Sequence, residues 1–354
     1  MKIAKIMLLD CTLRDGGFAL EDAEKNNISA GTFSDDDRTF IAEKMSESGV
    51  EIIELGAVQI TPYDRKGFAI YQDIESISAV MPLKKDSSQL FAVFFRGPDT
   101  PLEDIPDYSE KMIDAVRVCI RYSELQKSLD YCRGLCNKGY KVFIQPMVTA
   151  RYTDKELSLL TEEANSMGAY ALYFVDSYGF MNEKDVEYYF TRFDRELDPS
   201  IKIGFHAHNN MEMALPNVMS FIKGCGNREI IIDSCADGMG QGTGNLQTEV
   251  IANYLNRNYE KNYGLKDIFD VCQTVGKFNS DRLWGYRPER FIPAVCGTAY
   301  KYALELKNKY GIGLAESYDI LNTISDELRY RYTPQNAQQL VSEYKKLHDG
   351  GKNI

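Results

Sequence analysis

Histidine is scarce in this chain, with only His206, His208 and His348 among 354 residues. An excess of basic residues is also missing, because 41 Lys and Arg face 52 Asp and Glu and the formal net charge is −11. Binding to nucleic acid or to an anionic membrane surface depends on clustered basic side chains, so this balance argues against both kinds of partner. We therefore expect a small-molecule partner.

Long apolar runs are absent as well, and no stretch approaches the roughly 18 to 20 consecutive apolar residues that a membrane-spanning helix needs. The apolar run near residue 6 is followed at once by Asp10 and Arg14, with no small-residue cleavage pattern, which favours a buried strand over a secretory leader. The eight cysteines are scattered and include no CxxC pair. We expect reduced, mostly buried thiols and a cytoplasmic protein.

Short apolar runs alternate with helical stretches up to about residue 262, a pattern typical of parallel strands joined by crossover helices. Eight such runs are present, which is the number of strands in a (β/α)8 TIM barrel. The chain is long enough for a barrel of about 250 residues and an additional segment. The predicted strands are 5–11, 51–55, 90–95, 115–120, 141–145, 171–175, 202–208 and 229–234.

A doubly wound open sheet would show the same alternation, so the polar motifs decide between the two architectures. These motifs follow strands that are far apart in sequence, and a closed barrel brings such strand ends to one rim. Beyond residue 262 the strand pattern stops and helical patterns take over. We predict an α/β protein with a TIM-barrel catalytic domain over residues 1–262 and a C-terminal helical extension over residues 263–354.

The segment FHAHNN, residues 205–210, ends the seventh predicted strand. Side chains alternate between the two faces of a strand, so His206 and His208 point to the same side. Two imidazoles on one side can share a metal ion. A bare HxH pattern is equally compatible with two polar residues at a strand end, so a metal site requires further ligands from elsewhere in the chain.

A second polar group follows the first strand, where Asp10, Arg14 and Asp15 precede a glycine pair that we predict to be flexible. Two imidazoles rarely suffice for a hard ion, so an oxygen ligand from another strand end is expected. These carboxylates are the candidates. Taken alone, the cluster is also compatible with a salt-bridged turn.

The pair LRDG after the first strand and HAHNN after the seventh resembles the DRE-type metal lyase superfamily of TIM barrels, and 4-hydroxy-2-oxovalerate aldolase most of all. The resemblance covers roughly residues 3–260. It implies that Asp15, His206 and His208 bind a divalent ion, Mn2+ or Mg2+, with Asn245 as a direct or water-mediated neighbour. It also implies that Arg14 is a catalytic electrophile that binds the 2-oxo acid.

Other polar residues at strand ends match the same pattern. The resemblance implies a catalytic role for Glu54, which would orient Arg14 or a water molecule, although a salt bridge across the barrel mouth fits equally. Gln145 and Asp176 are predicted to face the pocket and bind substrate. Arg121, with its neighbour Tyr122, is a further candidate for contacting a substrate anion.

The segment of residues 233–249, DSCADGMGQGTGNLQTE, matches the family's glycine-rich loop and contains Asn245. Its glycines are also compatible with simple tight turns. A nucleotide-binding loop is disfavoured because the GK[ST] ending is missing.

Two departures from the family pattern concern proton transfer. The aldolases carry a histidine base three residues after the metal-binding aspartate, and Phe18 occupies that place here; its ring cannot accept a proton. Coenzyme A lyases use a cysteine in the loop before the Gly-Asn pair, and GMGQGTGN has none. The base is thus unassigned, with tyrosines such as Tyr178 as candidates.

The first functional hypothesis is metal-dependent aldol cleavage of a 4-hydroxy-2-oxo acid to a 2-oxo acid, expected to be pyruvate, and an aldehyde. Positive charge from the metal and Arg14 would stabilise the enolate. Claisen-type condensation of an acyl-coenzyme A with a 2-oxo acid, and a non-catalytic barrel, are the alternatives. By the same resemblance, the C-terminal helices would dock a partner dehydrogenase, or else form a homodimer.

Overall fold

The computed structural model describes residues 6–60, 64–110, 113–280 and 282–349. Its centre is a closed barrel of parallel strands in which the first strand pairs with both the second and the last. Closure rules out the open doubly wound sheet and confirms the predicted TIM barrel. The strands are β1 (Ile6–Asp10), β2 (Ile52–Val58), β3 (Leu90–Phe95), β4 (Ala115–Ile120), β5 (Lys141–Pro146), β6 (Ala171–Asp176), β7 (Lys202–Ala207) and β8 (Ile230–Ser234).

All eight strands coincide with predicted ones, because strands covered on both faces appear in the sequence as short apolar runs. The two-residue strand Ile70–Tyr71, which pairs with the end of β2, was not predicted. The helices are α1 (Thr12–Lys25), α2 (Asp35–Glu47), α3 (Leu125–Asn137), α4 (Asp154–Met167), α5 (Glu183–Glu196), α6 (Ala214–Gly224), α7 (Thr248–Asn258), α8 (Leu265–Gly276), α9 (Pro288–Val295), α10 (Lys301–Asn308), α11 (Leu314–Asn322), α12 (Asp326–Arg329) and α13 (Pro334–Asp349).

Helix α1 begins almost directly after β1, and this corrects the prediction of a flexible glycine pair. Gly16 and Gly17 lie inside the helix. A methyl group at Gly17 would overlap the backbone carbonyl of Phe68, and one at Gly16 would meet the side chain of Met239. The glycines therefore let α1 pack closely against its neighbours, so that the residues just before them are held in place.

The barrel interior has an apolar floor and a charged upper layer. The floor includes Met7, Leu9 and Ile52, all fully or almost fully buried. Above it, inward-facing positions of the strands carry ionisable side chains that are equally buried, among them Glu54 and Arg117. Buried charges persist only when they are paired, so this layer marks a place where polar chemistry is concentrated.

The C-terminal helices confirm the predicted helical extension. Helix α8 packs against α2 and adds Ile268 and Val271 to the core that surrounds the barrel. Helices α9 to α13 enclose a second hydrophobic cluster that begins at Ile292. The predicted domain boundary at residue 262 remains a proposal. Within the described residues, none of the helices has the length and apolar character needed to cross a bilayer.

Candidate active site

A cavity of about 620 Å³ opens at the carboxyl ends of the strands. In TIM barrels this end carries the loops that bind substrates. Its wall includes Arg14, Asp15, Gln145, His206 and His208, so five of the predicted site residues face one space. The C-terminal extension contributes residues 299–301 and 330–332 to the wall, which the sequence did not indicate.

Asp15 and the two strand-end histidines lie together, as the alternation of strand side chains predicts. His206 Nε2 is 3.5 Å from Asp15 Oδ2, and the rings of His206 and His208 have centroids 4.9 Å apart. The donor atoms of Asp15, His206 and Cys11 all lie within 4.8 Å of one another. This grouping places a carboxylate oxygen and an imidazole nitrogen where one ion can bind both.

Hydrogen bonds at Nδ1 fix how both histidines present their other ring nitrogen. His206 Nδ1 lies 2.8 Å from Asp233 Oδ2, and His208 Nδ1 donates to the backbone carbonyl of Asp176 at 2.9 Å. Arg117 and His206 hold the pKa of Asp233 below its usual value against the effect of burial, so this carboxylate is an acceptor. Burial, followed by the nearby His206, lowers the pKa of His208 to about 4. Both Nε2 atoms are thus left as ligands.

Asn245 completes the donor set. Its Nδ2 donates to Asp15 Oδ2 at 3.2 Å and to the Met239 carbonyl at 3.1 Å, while its Oδ1 is buried with no partner among the described residues. An unpartnered buried oxygen on a side chain that contacts the Asp15 carboxylate fits a nearby divalent cation. Burial raises the pKa of the Cys11 thiol, which donates to the Ser234 carbonyl at 3.3 Å. The oxygen and nitrogen donors around it are of the kind that can hold a hard divalent ion.

The glycine-rich loop after β8 is shaped around Asn245. Gly244 adopts φ +90°, and a side chain there would overlap the carbonyl of Gly238. A methyl group at Gly240 would overlap the Asn245 amide. Gly240 is therefore required for close approach to the asparagine, and Gly244 for close approach to Gly238, beyond any general need for tight turns.

Arg14 is oriented by Glu54. Its Nε donates to Glu54 Oε2 at 2.8 Å, a second nitrogen pairs with Asp15, and its guanidinium carbon lies 4.6 Å from the centroid of the Phe94 ring. Glu54 is fully buried and absent from the cavity wall, so it acts through Arg14. The contact between Glu54 and Arg14 is a salt bridge, one of the two interpretations that the sequence allowed, and a catalytic role for Glu54 remains a proposal.

The charged layer beneath the site was missed by sequence reasoning. Arg117 is fully buried and donates to Glu54 Oε2 at 2.7 Å and, through its other terminal nitrogen, to Asp233. Asp233 also accepts from Tyr173 Oη at 3.1 Å and orients His206. The network therefore links Arg14 to His206 from below. Its sequence signal was a charged residue within the apolar strand AVRVCI.

Gln145 and Asp176 differ in what they present to the cavity. Gln145 lines it, and in the orientation that satisfies its amide the oxygen accepts from Arg117 Nε at 3.0 Å, which leaves the amide nitrogen to donate. The Asp176 carboxylate instead accepts from the backbone N–H groups of Phe180 and Met181 at 3.0 Å each. It is turned away from the cavity because the following loop supplies these donors. Only its carbonyl serves the site, through His208.

Among the remaining predicted candidates, some line the cavity and others do not. Arg121 lines the cavity, whereas Tyr122 lies outside it and packs edge-on against Tyr152. Tyr178 lines the cavity and donates to the carbonyl of Tyr330 at 3.3 Å. Phe18 also faces the cavity, so no base stands at that position.

A hydroxyl paired with a carboxylate stands on the same wall. Tyr300, directly before α10, donates to Asp22 Oδ2 at 2.6 Å, and Asp22 also accepts from Gln241 Nε2 at 2.8 Å and pairs with Lys301 at 3.0 Å. All four side chains line the cavity. This group could not be predicted from local sequence, because its members come from α1, the glycine-rich loop and the helical extension.

Comparisons with known proteins agree with this geometry. The chain is 28% identical over 283 residues to a 4-hydroxy-2-oxovalerate aldolase of Pseudoalteromonas translucida, covering 78% of this chain and 77% of that protein. It is 26% identical over 284 residues to an oxaloacetate decarboxylase of Mycobacterium tuberculosis, covering 80% of each. These relatives confirm the prediction of a carbon–carbon lyase.

The solved structures show the fold. The N-terminal domain of a candidate aldolase from Bacteroides vulgatus superposes with a TM-score of 0.71 at 20% identity, covering 86% of this chain and 98% of that one. A hydroxymethylglutaryl-coenzyme A lyase of Bacillus subtilis gives a TM-score of 0.61 at 17% identity, covering 79% and 95%. The family model described as HMGL-like matches residues 5–275, and the chain therefore belongs to the HMGL-like family.

Proposed function

We propose that this protein is a divalent-metal-dependent aldolase that cleaves a 4-hydroxy-2-oxo acid to a 2-oxo acid, with pyruvate expected, and an aldehyde. The observation that carries the proposal is the grouping of Asp15, His206 and His208 beside the cationic Arg14 on the wall of one cavity. Asp15, His206, His208 and Asn245 would hold the ion, which is Mn2+ or Mg2+. The 4-hydroxy-2-oxovalerate aldolases among the relatives support this reaction class.

The chemistry requires positive charge where an enolate develops. A divalent ion at this site would supply positive charge beside the 2-oxo group. Arg14 would hold the carboxylate or enolate oxygen with a planar, permanently charged guanidinium, which Glu54 keeps aimed. Gln145 would donate its amide N–H to the bound acid. Asp176 would contribute indirectly, by orienting His208.

Tyr300 and Asp22 would take the proton of the 4-hydroxyl group. The proton of the substrate's 4-hydroxyl would pass to Tyr300 Oη. At the same time the phenolic proton of Tyr300 would move to the Asp22 carboxylate, whose Oδ2 is 2.6 Å away. Burial, followed by Asp22, raises the pKa of Tyr300, so the phenol is neutral and serves as a relay rather than as a phenolate. This pair would take the role of the histidine base, whose position is occupied by Phe18 in this chain.

The test is a pyruvate-release assay on 4-hydroxy-2-oxo acids of varied length. It uses metal-stripped protein with and without Mn2+, together with His206→Ala, and His348→Ala as the control. We expect Mn2+-dependent release that His206→Ala abolishes and His348→Ala retains. Stoichiometric Mn2+ binding without release from any of these acids would refute the aldolase and leave condensation with an acyl-coenzyme A, or a binding role.

A second candidate function is decarboxylation of a 2-oxo acid that carries a carboxylate at C4. Phe18 favours it, because loss of CO2 gives the same enolate without any hydroxyl proton to remove. The oxaloacetate decarboxylase among the relatives is consistent with this reaction. Mn2+-dependent loss of oxaloacetate above the metal-only rate, with no cleavage of 4-hydroxy acids, would select it over the aldolase.

Docking of a partner dehydrogenase, or of a second copy, through the C-terminal helices remains a prediction. It is supported by three partly exposed apolar side chains on α9 and α11, which are Val295, Leu314 and Tyr318. A cytoplasmic location also stays a prediction. All eight cysteines are free thiols, as such a location requires.

A further inference from the structure

The cavity wall is more positive than the protein as a whole. The chain has a net charge of −11, yet the cavity is lined by Arg14, Lys25, Arg96, Arg121, Lys301 and Arg331. The carboxylates on the same wall are Asp15, Glu21 and Asp22. A cleft lined by one sign of charge concentrates ligands of the opposite sign. The cavity is therefore suited to a ligand with more negative charge than a single carboxylate.

Several of these cations already have partners of their own. Arg121 donates to Glu124 at 2.9 Å and pairs with Asp99. Lys301 pairs with Asp22 at 3.0 Å. Because carboxylates already neutralise Arg121 and Lys301, we do not expect an additional anion to bind these two side chains.

Arg96 is different because its partner is shared. Glu21 lies 2.6 Å from Arg96, 3.1 Å from Lys25 and 3.1 Å from Arg65, so one carboxylate faces three cations. The Arg96 guanidinium also lies 3.9 Å from the centroid of the Phe18 ring, which places it beside the proposed reaction centre. Arg96 therefore retains positive charge toward the cavity.

The backbone of Arg331 is held by hydrogen bonds, whereas its side chain has no partner among the described residues. Its carbonyl accepts from Tyr302 Oη at 2.9 Å and from Asn336 Nδ2 at 2.8 Å, and its N–H donates to the Leu328 carbonyl at 3.2 Å. The side chain is exposed on the cavity wall, and it makes no ion pair or hydrogen bond with any residue in the described ranges. A guanidinium held in this way is available to bind a carboxylate or phosphate bidentately.

We propose that the aldehyde half of the substrate carries an anionic group, a carboxylate or a phosphate, that binds Arg331 and Arg96. This inference rests on the proposed aldolase function and names its substrate class. The cavity of about 620 Å³ has room for both halves of such a substrate. Arg14 would bind the 2-oxo acid, and the anion would bind at the part of the wall formed by Arg96, directly after β3, and Arg331, after α12.

The test runs the reaction in the direction of addition, with pyruvate, Mn2+ and matched aldehydes. Succinic semialdehyde is compared with butanal for the carboxylate, and glycolaldehyde phosphate with glycolaldehyde for the phosphate. We expect kcat/KM to favour the anionic member of at least one pair by about tenfold or more, the scale of one charge-assisted hydrogen bond. The pair that shows the preference identifies the anion.

Arg331→Gln and Arg96→Gln are each expected to reduce that preference about tenfold, mainly through KM for the anionic aldehyde. Arg257→Gln, an exposed arginine on α7, is the matched control and should retain it. Equal kcat/KM for both members of each pair would overturn the proposal. An equal loss on both members in Arg331→Gln would overturn it too.

Exchange of the pyruvate methyl protons with D2O separates this proposal from the aldolase itself, because the exchange needs the enolate but no aldehyde. No exchange would mean that the aldolase proposal has failed, and the substrate class with it. Exchange with no preference for anionic aldehydes would overturn the substrate class alone. Turnover with acetyl-coenzyme A and with no aldehyde would also overturn it, because the cations would then serve coenzyme A phosphates.

Discussion

At the scale of single residues, the site divides into groups that would touch substrate and groups that hold those in place. Arg14 faces the cavity, whereas Glu54 and Asp233 lie beneath it and act through Arg14 and His206. Substitutions in the two groups should therefore alter different measured quantities.

Tyr300→Phe tests the proton relay. Removing the hydroxyl should lower kcat for 4-hydroxy-2-oxo acid cleavage by about 10²- to 10⁴-fold, the range for general acid–base catalysis. Deuterium exchange into pyruvate should be retained, because that step involves no 4-hydroxyl. Steady-state cleavage and NMR exchange rates measure the two effects, and an equal loss of both would show that Tyr300 has no specific part in the relay.

Asp233→Asn tests the support of His206. An amide does not fix the imidazole tautomer as a carboxylate does, so Mn2+ affinity should fall about 10- to 100-fold. Calorimetric titration measures the affinity, and circular dichroism checks that the variant folds. Asp36→Asn, at an exposed position on α2, is the control. Unchanged Mn2+ affinity in folded Asp233→Asn would contradict the role.

Asp10 gives a prediction about pH. Burial raises its pKa to about 7 despite the hydrogen bonds from Thr12, so the folded state keeps a proton that the unfolded chain loses above about pH 4. Stability should therefore decrease as pH rises from 4 to 7, by at most about 1.4 kcal/mol per pH unit from this group. Asp10→Asn should remove that part of the slope in urea unfolding. Parallel slopes for the two proteins would show that Asp10 does not titrate as described.

At the scale of elements, α1 is the part on which the site depends most. It follows β1 directly, carries Arg14 and Asp15 in its first turn, and lines the cavity further along with Asp22. Its position is set by contacts that allow no side chain at Gly17.

Gly17→Ala should displace α1 from the segment around Phe68. Overpacking of this kind typically costs about 1 to 3 kcal/mol, and a shift of Arg14 and Asp15 should lower activity as well. Gly276→Ala on α8 is the matched control, since a methyl group there meets no atom within 4 Å and Ala favours a helix. Thermal unfolding and pyruvate release measure the effects. Equal behaviour of the two variants would refute the packing argument.

Features that depend on local sequence could be predicted, whereas features that depend on contacts between distant segments could not. Strand positions could be predicted because burial on both faces leaves local apolar runs, and the convergence of Asp15, His206 and His208 follows from strand ends meeting at one rim. The direction of the Asp176 side chain could not be predicted, because the donors that capture it belong to a loop. The place of Tyr300 on the wall depends on how the helical extension packs on the barrel, which local periodicity does not encode.

At the scale of the whole molecule, the metal and the fold should stabilise each other. The donor atoms come from α1, β7 and the glycine-rich loop, so an ion would connect parts of the barrel that are separate in sequence. A ligand that binds only the folded state adds to its stability by mass action.

Mn2+ at about 100 times its Kd should add about 2.7 kcal/mol to the stability and raise Tm by several degrees. His206→Ala should lose this shift, while Arg257→Gln should retain it. Differential scanning fluorimetry of metal-stripped protein measures the shift. An equal Tm rise in His206→Ala would place the stabilising ion elsewhere.

The hydrophobic clusters inside and around the barrel are separate from the one among α9 to α13. The residues proposed to make the enolate come from barrel segments, whereas Tyr300 and Arg331 come from the loops that precede α10 and follow α12. Enolate formation would therefore persist when the helical extension changes, whereas hydroxyl deprotonation and aldehyde choice would change together. Exchange of the helical extension between family members that keep a tyrosine at the position of Tyr300 would thus alter the aldehyde partner while the metal-binding residues stay intact.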